Sequence, residues 1–200
     1  MKTSFLYAIA FVLMATQFSC KKSDSNPVGG NTNTNDFLWP FNTGNTWLFK
    51  VTSYDTLGNV RSTSYDTMLV GRDTTISGQK WFQAFVKTTF WTNKSDGVWT
   101  IDIGSSSQTP QLAYKYPGQA GESWTYNSLQ VSILSVSASI NIGSSSYVCY
   151  EYKFDFGSGQ TEYDYFKPGV GLIVVEQFGK TNSGLQYKNF RMELISYTLK

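Results

Sequence analysis

A tight turn followed directly by a strand with two aromatic residues occurs twice in this chain, and this repeat constrains the fold more than any other feature. The copies are Pro40–Phe49 and Pro117–Tyr126. Both read P-x-x-x-G-x-x-W-x-aromatic, 77 positions apart (117 − 40). Residues two positions apart point to the same face of a strand, so the Trp and the following aromatic residue share a face. The repeat predicts a β structure whose two halves begin alike. Its structural positions are Pro40, Gly44, Trp47, Pro117, Gly121 and Trp124.

The N-terminus carries the features of an export signal. Lys2 is followed by a mostly apolar run over residues 5–18, which is too short for a membrane span of about 20 apolar residues. Ser19 and Cys20 follow directly. This string resembles the lipoprotein signals of Bacteroidota, in which the peptidase cuts before the Cys and its sulfur and new amine are acylated. Cys20 is therefore the predicted lipidation site, and a cleaved signal without a lipid is the alternative.

Residues 21–36 form a predicted tether. They are mainly Lys, Ser, Asn, Pro, Gly and Thr, and such a composition cannot bury enough surface to offset the entropy of ordering. Its reach as a flexible chain is about 20–24 Å. We therefore predict a lipoprotein signal peptide at 1–19, a lipidated Cys with a disordered tether at 20–36, and a single β domain at 37–200. The expected location is the outer membrane, with cell surface and periplasmic leaflet both left open.

Composition favours one sheet-rich domain and argues against nucleic acid as a partner. Removal of residues 1–19 leaves 181 residues (200 − 19), enough for one domain with a substantial core. Aromatic residues make up 16% of the chain, and the scarcity of Ala, Glu and Leu further favours strands over helices. The net charge is only +2 and no run of five basic residues occurs. We therefore expect no nucleic-acid binding.

Alternating apolar and polar residues between Gly-rich turns predict an all-β fold of about ten strands, with no convincing amphipathic helix after the signal peptide. Successive hairpins indicate a single antiparallel meander. Such a sheet protects its edges by rolling into a barrel or half-barrel. The predicted strands are 47–55, 60–72, 80–91, 98–103, 112–116, 124–142, 148–156, 162–165, 172–178 and 185–199.

Two local patterns make sharper predictions about strand faces. Apolar residues occupy odd positions up to Ile133 and even positions from Leu134 onwards, and a one-residue slip of this kind indicates a β-bulge. Farther along, a two-residue loop within Gly157–Gly159 would keep the aromatic residues of both flanking strands on one face. That register leaves Glu162 and Asp164 on the opposite, polar face.

Residues for catalysis or metal binding are sparse. The chain contains no His, which removes His-based triads and His–metal sites, and no P-loop, G-x-S-x-G or CxxC pattern occurs. Glu162 and Asp164 are about 6.6–6.8 Å apart along a strand, within the range of about 5–9.5 Å for a glycosidase pair. We interpret them instead as a solvated polar face. Cys149 has no partner once Cys20 is acylated, and we expect it to be a small strand residue. We predict no enzyme activity, no catalytic residue, no cofactor and no metal.

The Trp residues carry the main functional ambiguity. Trp81, Trp91 and Trp99 flank one predicted hairpin, and an exposed row of them would form a stacking platform for sugars. These three are the candidate ligand-stacking residues. The alternative is that all six Trp residues fill the core or its mouth.

A family resemblance rests on the two Trp motifs and on the string Tyr163–Ile173, YDYFKPGVGLI. These motifs resemble small uncharacterised Bacteroidota lipoproteins with a P-x-x-x-G-N-x-W opening and a Y-F-x-x-G-V-G-L close. More distantly, a rolled antiparallel sheet behind a lipidated Cys is similar to the lipoprotein-carrier (LolA/LppX-like) half-barrels, which hold acyl chains in an apolar concavity. The first resemblance implies an envelope lipoprotein, and the second implies carriage of an apolar ligand.

Together these features predict a non-enzymatic, outer-membrane-anchored lipoprotein with a binding or structural role, attached to the membrane through its lipid. Two alternatives stay open. One is a surface glycan-binding module that uses exposed Trp residues. The other is a periplasmic carrier of a lipid or another apolar small molecule.

Overall fold

Thirteen β-strands make up the regular structure of the described chain. The computed structural model describes residues 37–85, 88–104, 108–157 and 159–200. The predictions for the signal peptide, Cys20 and the tether lie outside these residues. The described residues belong to one compact unit, Asn31–Lys200. The strands are β1 (Thr46–Tyr54), β2 (Val60–Leu69), β3 (Asp73–Ile76), β4 (Gln79–Gln83), β5 (Thr89–Lys94), β6 (Gly97–Asp102), β7 (Gln111–Lys115), β8 (Ser123–Tyr126), β9 (Leu129–Ile142), β10 (Ser145–Asp155), β11 (Thr161–Lys167), β12 (Gly171–Lys180) and β13 (Gln186–Thr198).

The strands form two antiparallel sheets. The larger sheet has eight strands in the order β2-β1-β13-β12-β11-β10-β9-β8, and the smaller has five in the order β3-β4-β5-β6-β7. The prediction of an all-β antiparallel fold is confirmed, but two sheets replace the predicted single meander. Within the described chain no ladder joins β2 to β8, the end strands of the larger sheet. No helix among the described residues is long and apolar enough to cross a membrane.

The repeated turn-plus-Trp motif starts two strands of the larger sheet with equivalent hydrogen bonds. Gly44 and Gly121 have φ of +90° and +91°, a conformation that Gly adopts without steric penalty. Gly44 N donates to Val70 O at 2.8 Å, and Gly121 N donates to Ile133 O at 2.8 Å. Each bond ties the turn to the segment that pairs with the strand it starts, so the two motifs open the β1–β2 and β8–β9 hairpins.

The run 80–91, predicted as one strand, is a hairpin. β4 and β5 are antiparallel neighbours that pair Phe82 with Trp91. Phe85 lies between them with a left-handed φ of 61°, which is uncommon for a bulky residue. The prediction of one strand, buried on both faces, rests on the apolar residues at both odd and even positions of this run. In the structure the run contains two short strands, β4 and β5.

The run 124–142, predicted as one strand, is also divided. Asn127 and Ser128 have φ of 48° and 66° and join β8 to β9. Two successive residues with positive φ are typical of the tight hairpin turn whose twist matches that of the strands. The division places the second Trp motif on a short edge strand of its own.

A bulge is present in β9 at the predicted place, but two register shifts replace the predicted one-residue slip. Cys149 pairs with Ala138 and Tyr152 pairs with Ile133, so three steps along β10 (152 − 149) match five along β9 (138 − 133). The extra residues twist the strand locally. They turn Leu134 outwards, where it is 44% exposed.

The hairpin between β10 and β11 differs from the prediction, and the difference reverses a strand face. An odd number of residues, 156–160, connects the last paired positions, whereas a two-residue loop requires an even number. Tyr152 therefore lies opposite Asp164, and Phe154 lies opposite Glu162. Because side-chain directions alternate, this shift moves all β11 side chains to the other face. Glu162 and Asp164 share the core face with the buried aromatic residues of β10.

Two hydrophobic clusters hold the fold together. The main core lies between the two sheets and includes Trp47 from the larger sheet and Val98 from the smaller one, both 0% exposed. The second cluster lies on the outer face of the smaller sheet and consists of Trp81, Phe90 and Ile101; we call it the outer cluster. Full burial of an apolar side chain of this size contributes about 1.5–3 kcal/mol.

Candidate functional site

A cavity of about 300 Å³ lies between the sheets, at the lower end of the range of about 300–1,000 Å³ for small-molecule sites. Its wall combines aromatic rings, an apolar floor and a group of hydrogen-bonded polar side chains. These come from the segment before β1, the smaller sheet and the inner face of the larger sheet. The lining residues are Trp39, Phe85, Trp91, Tyr114, Glu162, Asp164, Leu172, Val175, Gln177, Phe190 and Met192.

Strands β11, β12 and β13 supply the floor and the polar groups in two parallel rows. The ladder registers place one acid in each row, next to an uncharged β12 side chain and an apolar β13 side chain. The first row is Asp164, Val175 and Met192, and the second row is Glu162, Gln177 and Phe190. Two acids and the amide of Gln177 thus interrupt an otherwise apolar face.

Glu162 and Asp164 form a hydrogen-bonded acid pair in this wall. Asp164 is 2% exposed, and its Oδ2 accepts a hydrogen bond of 2.6 Å from Tyr114 OH. Glu162 accepts a hydrogen bond from the side-chain amide of Gln177, and the two carboxyl groups contact each other. Asp164 Oδ1 is buried and has no hydrogen-bond partner among the described residues. The expectation of a solvated polar face is corrected, because the β10–β11 register turns both acids inwards.

Burial sets the protonation of this pair. Burial raises the pKa of Asp164 well above its usual value, and the charge of Glu162 raises it further, against a lowering effect of the Tyr114 hydrogen bond. Burial also raises the pKa of Glu162, whereas its hydrogen bonds with Gln177 and Asp164 lower it. Two buried carboxyls in contact do not both ionise. Asp164 is the more deeply buried of the two and its pKa is raised further by Glu162, so Glu162 ionises first.

Three aromatic rings form one side of the cavity; we call them the aromatic corner. The ring centroids of Trp39 lie 5.1 Å from Phe85 and 5.8 Å from Trp91, and those of Phe85 and Trp91 are 5.6 Å apart. Phe85 is 47% exposed and lies at the rim. Its positive φ costs about 1–3 kcal/mol, and its contacts with both indoles hold it in place.

Trp39 packs against Gly171, the first residue of β12, at the end of the β11–β12 turn. A Cβ at Gly171 would lie 2.4 Å from Cδ1 of Trp39, so the indole rests directly on the glycine backbone. Gly171 also has φ of +103°, which favours Gly. Gly169 N in the same turn donates to Phe37 O at 2.8 Å. The Lys167–Gly171 turn, predicted as a chain reversal, therefore also fixes one wall of the cavity.

The three candidate stacking residues do not form one row. Trp91 lies in the aromatic corner, on the inner face of the smaller sheet. Trp81 is 2% exposed in the outer cluster, so it offers no stacking surface. Trp99 is half-buried beside that cluster, donates to Asp96 Oδ1 at 2.8 Å, and lies under Lys94 with Nζ 3.9 Å from the ring centroid. The structure thus brings one of the three to the cavity and separates the other two from it by the sheet.

The Trp residues of the repeated motif are anchors in the core. Trp47 is 0% exposed, and its indole N–H donates to Val170 O at 2.7 Å. Trp124 is half-buried and donates to Leu112 O at 3.0 Å. Pro40 O accepts a hydrogen bond of 2.8 Å from the side chain of Asn45. The first motif supports the site indirectly, because the ring of Trp47 meets that of Trp39 at 6.0 Å.

Sequence reasoning did not single out Trp39, Phe85 or Tyr114. Trp39 had a usable signal, since it directly precedes the first motif and follows a polar stretch. Tyr114 lies in a short strand with little alternation, and its role depends on Asp164, 50 positions away. Phe85 lies in the connection between β4 and β5, within the run 80–91 that the residue pattern predicts as one strand. No sequence pattern indicates its place in the cavity.

Cys149 lies outside the cavity and is not a reactive thiol. It is 0% exposed in β10, and burial raises the pKa of its thiol to about 12. A thiol with such a pKa stays protonated at neutral pH and is a poor nucleophile. Elsewhere in the described chain, no three acidic or Cys side chains are grouped as metal ligands.

Comparison with known proteins gives similarity in fold only. No family model matches the chain, and no curated protein matches it. It is similar to the crystal structure of a candidate lipoprotein from Parabacteroides distasonis, with a TM-score of 0.44 and 15% identity over 82% of this chain and 99% of that one. It is also similar to a candidate exported protein with a YmcC-like fold from Bacteroides fragilis, with a TM-score of 0.42 and 12% identity over 82% of this chain and 100% of that one. Neither likeness assigns this chain to a family.

Proposed function

We propose that this protein is a lipid-anchored binding protein of the bacterial envelope that holds a small ligand in the cavity between its sheets. The observation that carries the proposal is the combination, in one cavity, of the aromatic corner, an apolar floor and the acid pair. Small-molecule sites characteristically pair apolar and aromatic walls with a few convergent polar groups.

The acid pair supports a binding role over a purely structural one. Burial of a polar or ionised group costs free energy, and apolar side chains of similar volume at Glu162 and Asp164 would pack the same core without that cost. Carboxyls with raised pKa values beside a cavity are typical of functional sites. The unfavourable φ of Phe85, at the rim of the same cavity, is a second local cost. The free-energy cost of the buried acids and that of the strained Phe85 backbone therefore both occur at this cavity.

We propose binding without catalysis. The chain has no His, and its two cavity acids contact each other. The acids of a glycosidase lie about 5–9.5 Å apart so that the scissile bond, or the attacking water, fits between them. The glycan alternative needs a row of exposed Trp side chains, and the three candidates lie on two faces of the smaller sheet. A small apolar molecule with a polar group suits the apolar floor and the modest volume of the cavity.

The direct test is ligand-observed NMR with a mixture of small aromatic and alicyclic compounds. We expect saturation transfer to some of them with the wild-type protein, and its loss in Trp91→Ala. Trp99→Ala is the matched control, because Trp99 is also half-buried and lies on the neighbouring strand but faces away from the cavity. Transfer that persists in Trp91→Ala, or that disappears equally in Trp99→Ala, would contradict the cavity as the site.

Anchoring is tested separately by metabolic labelling with radioactive palmitate. We expect label in the wild-type protein and in Cys149→Ala, and none in Cys20→Ala, because only Cys20 stands at the lipidation position. Labelling that survives Cys20→Ala would remove the anchor from the proposal. Protease treatment of intact cells then separates the two membrane faces: digestion indicates the cell surface, and protection indicates the periplasmic leaflet.

A further inference from the structure

The cavity contains two carboxyl groups that no cation of the described residues neutralises. The salt bridges of the described residues involve other acids, and none reaches Glu162 or Asp164. The polar side chains beside the pair are the neutral Tyr114 and Gln177. An anion in a partly desolvated site is costly unless a positive charge or several donors accompany it.

The hydrogen bonds of the acid pair leave Glu162 as the carboxyl that can accept from a ligand. Tyr114 donates to Asp164, and Gln177 donates to Glu162, which is the first of the two acids to ionise. Gln177 contacts one oxygen, Oε2, so Glu162 keeps acceptor capacity for a ligand. A carboxylate has about four lone-pair positions in all.

The aromatic corner lies on the same cavity and has the complementary property. Trp39 is 1% exposed and only backs the corner, whereas the accessible faces of Phe85 and Trp91 carry negative π-electron density that attracts cations, most strongly for Trp. The structure gives none of these three rings a cation from the described residues. Rings and carboxylate therefore favour one kind of ligand.

We propose that the cavity binds a small organic ammonium ion, whose charged nitrogen contacts Glu162 and whose apolar body lies against the aromatic corner. This inference rests on the proposed binding function and names its ligand class. An ammonium group supplies up to three donors and a full charge, whereas a hydroxyl supplies one donor and no charge. Charge-assisted hydrogen bonds are about twice as strong as neutral ones. The arrangement therefore selects an amine over an alcohol of equal shape.

Calorimetric titration with benzylamine and benzyl alcohol tests the inference, since the two probes differ only in the polar group. We expect benzylamine to bind about tenfold more tightly or better, and the preference to disappear in Glu162→Gln. Glu151→Gln is the matched control, because Glu151 lines a separate surface depression with Tyr163 and Tyr165. It should keep the wild-type preference.

The outcomes separate the inference from the function on which it rests. Equal affinity for the two probes, or a benzylamine preference that survives Glu162→Gln, would overturn the ammonium assignment. Either result leaves a cavity that binds small molecules. Failure of both probes to bind also overturns the assignment. The broader function is then decided by the compound mixture with Trp91→Ala and Trp99→Ala.

Discussion

The two faces of the smaller sheet both carry aromatic residues, but the rings that line the cavity on the inner face have no cation from the described residues. On the outer face Lys94 places its Nζ 3.9 Å from the centroid of Trp99, beside the outer cluster. On the inner face Trp91 contributes to the aromatic corner, without a cation from the described residues, in a cavity that also contains Glu162. On the outer face, the protein therefore supplies the cation for the ring of Trp99 from its own Lys94. At the cavity, the inner face combines the accessible rings of Phe85 and Trp91 with the carboxyl of Glu162, and we propose this arrangement as a binding site.

The largest effect should come from removal of Trp81, which tests whether the outer cluster is structural. Trp81→Ala leaves a cavity among buried side chains, and we expect a loss of about 3–5 kcal/mol in the free energy of unfolding. Urea denaturation measures this loss. Ligand binding by the folded fraction should not change. A loss below about 1 kcal/mol would show that the outer cluster is not a structural core.

The next effect tests the packing of Trp39, in the aromatic corner, against Gly171. Gly171→Ala places a Cβ against the indole of Trp39 at a positive φ, and we expect a loss of about 3 kcal/mol from overpacking and backbone strain together. Gly58→Ala is the control, because Gly58 has φ of +84° with no atom within 4 Å of the added Cβ. It should lose only about 1–2 kcal/mol. Equal losses in the two variants would mean that Trp39 is not seated on Gly171.

The acid pair predicts a third effect, in the pH dependence of stability. The pKa of Asp164 is raised in the folded state above its ordinary value of 3.8. Its contribution is therefore fully present below pH 3.8 and is lost as the pH rises through the folded-state pKa, with a slope of at most about 1.4 kcal/mol per pH unit. Asp164→Asn should flatten this decline in urea unfolding. The titratable groups that face it are Glu162 and Tyr114, and burial raises the pKa of Tyr114 well above 10.

Asp55 supplies the matched control with the opposite sign. It is a partly exposed residue at the start of the β1–β2 turn, and hydrogen bonds from Asn59 lower its pKa. Its contribution is present above the ordinary pKa and is lost as the pH falls, so Asp55→Asn should reduce stability at neutral pH rather than flatten the alkaline decline. A wild-type curve that does not fall above pH 4, or one that is identical in Asp164→Asn, would contradict the buried acid pair.

The smallest effect tests the cation on the outer face. Lys94→Met removes the charge above Trp99 and keeps an unbranched side chain, and we expect a loss of about 0.5–1 kcal/mol. A double-mutant cycle with Trp99→Ala isolates the interaction, because the loss should vanish when the ring is absent. An undiminished loss in the Trp99→Ala background would place the effect of Lys94 elsewhere.

Local structure is predicted correctly where it depends on the residues of a single strand or turn. The two Pro/Gly turns begin strands at Thr46 and Ser123, and the parity change after Ile133 is a real bulge. Predictions were wrong where two arrangements share one pattern. A two-residue and a longer loop at Gly157 both continue the alternation, but they place Glu162 and Asp164 on opposite faces.

The residue pattern along the chain is enough to predict that it forms antiparallel strands, where most of them turn, and that the two Trp motifs start strands in the same way. These properties depend on residues that are neighbours along the chain. The buried face of β11 depends on tertiary contacts, because alternation defines two faces without saying which one meets the second sheet. Tertiary contacts also place Trp39 on Gly171, 132 positions later (171 − 39). The cavity exists because these distant segments meet, and for that reason no local pattern contained it.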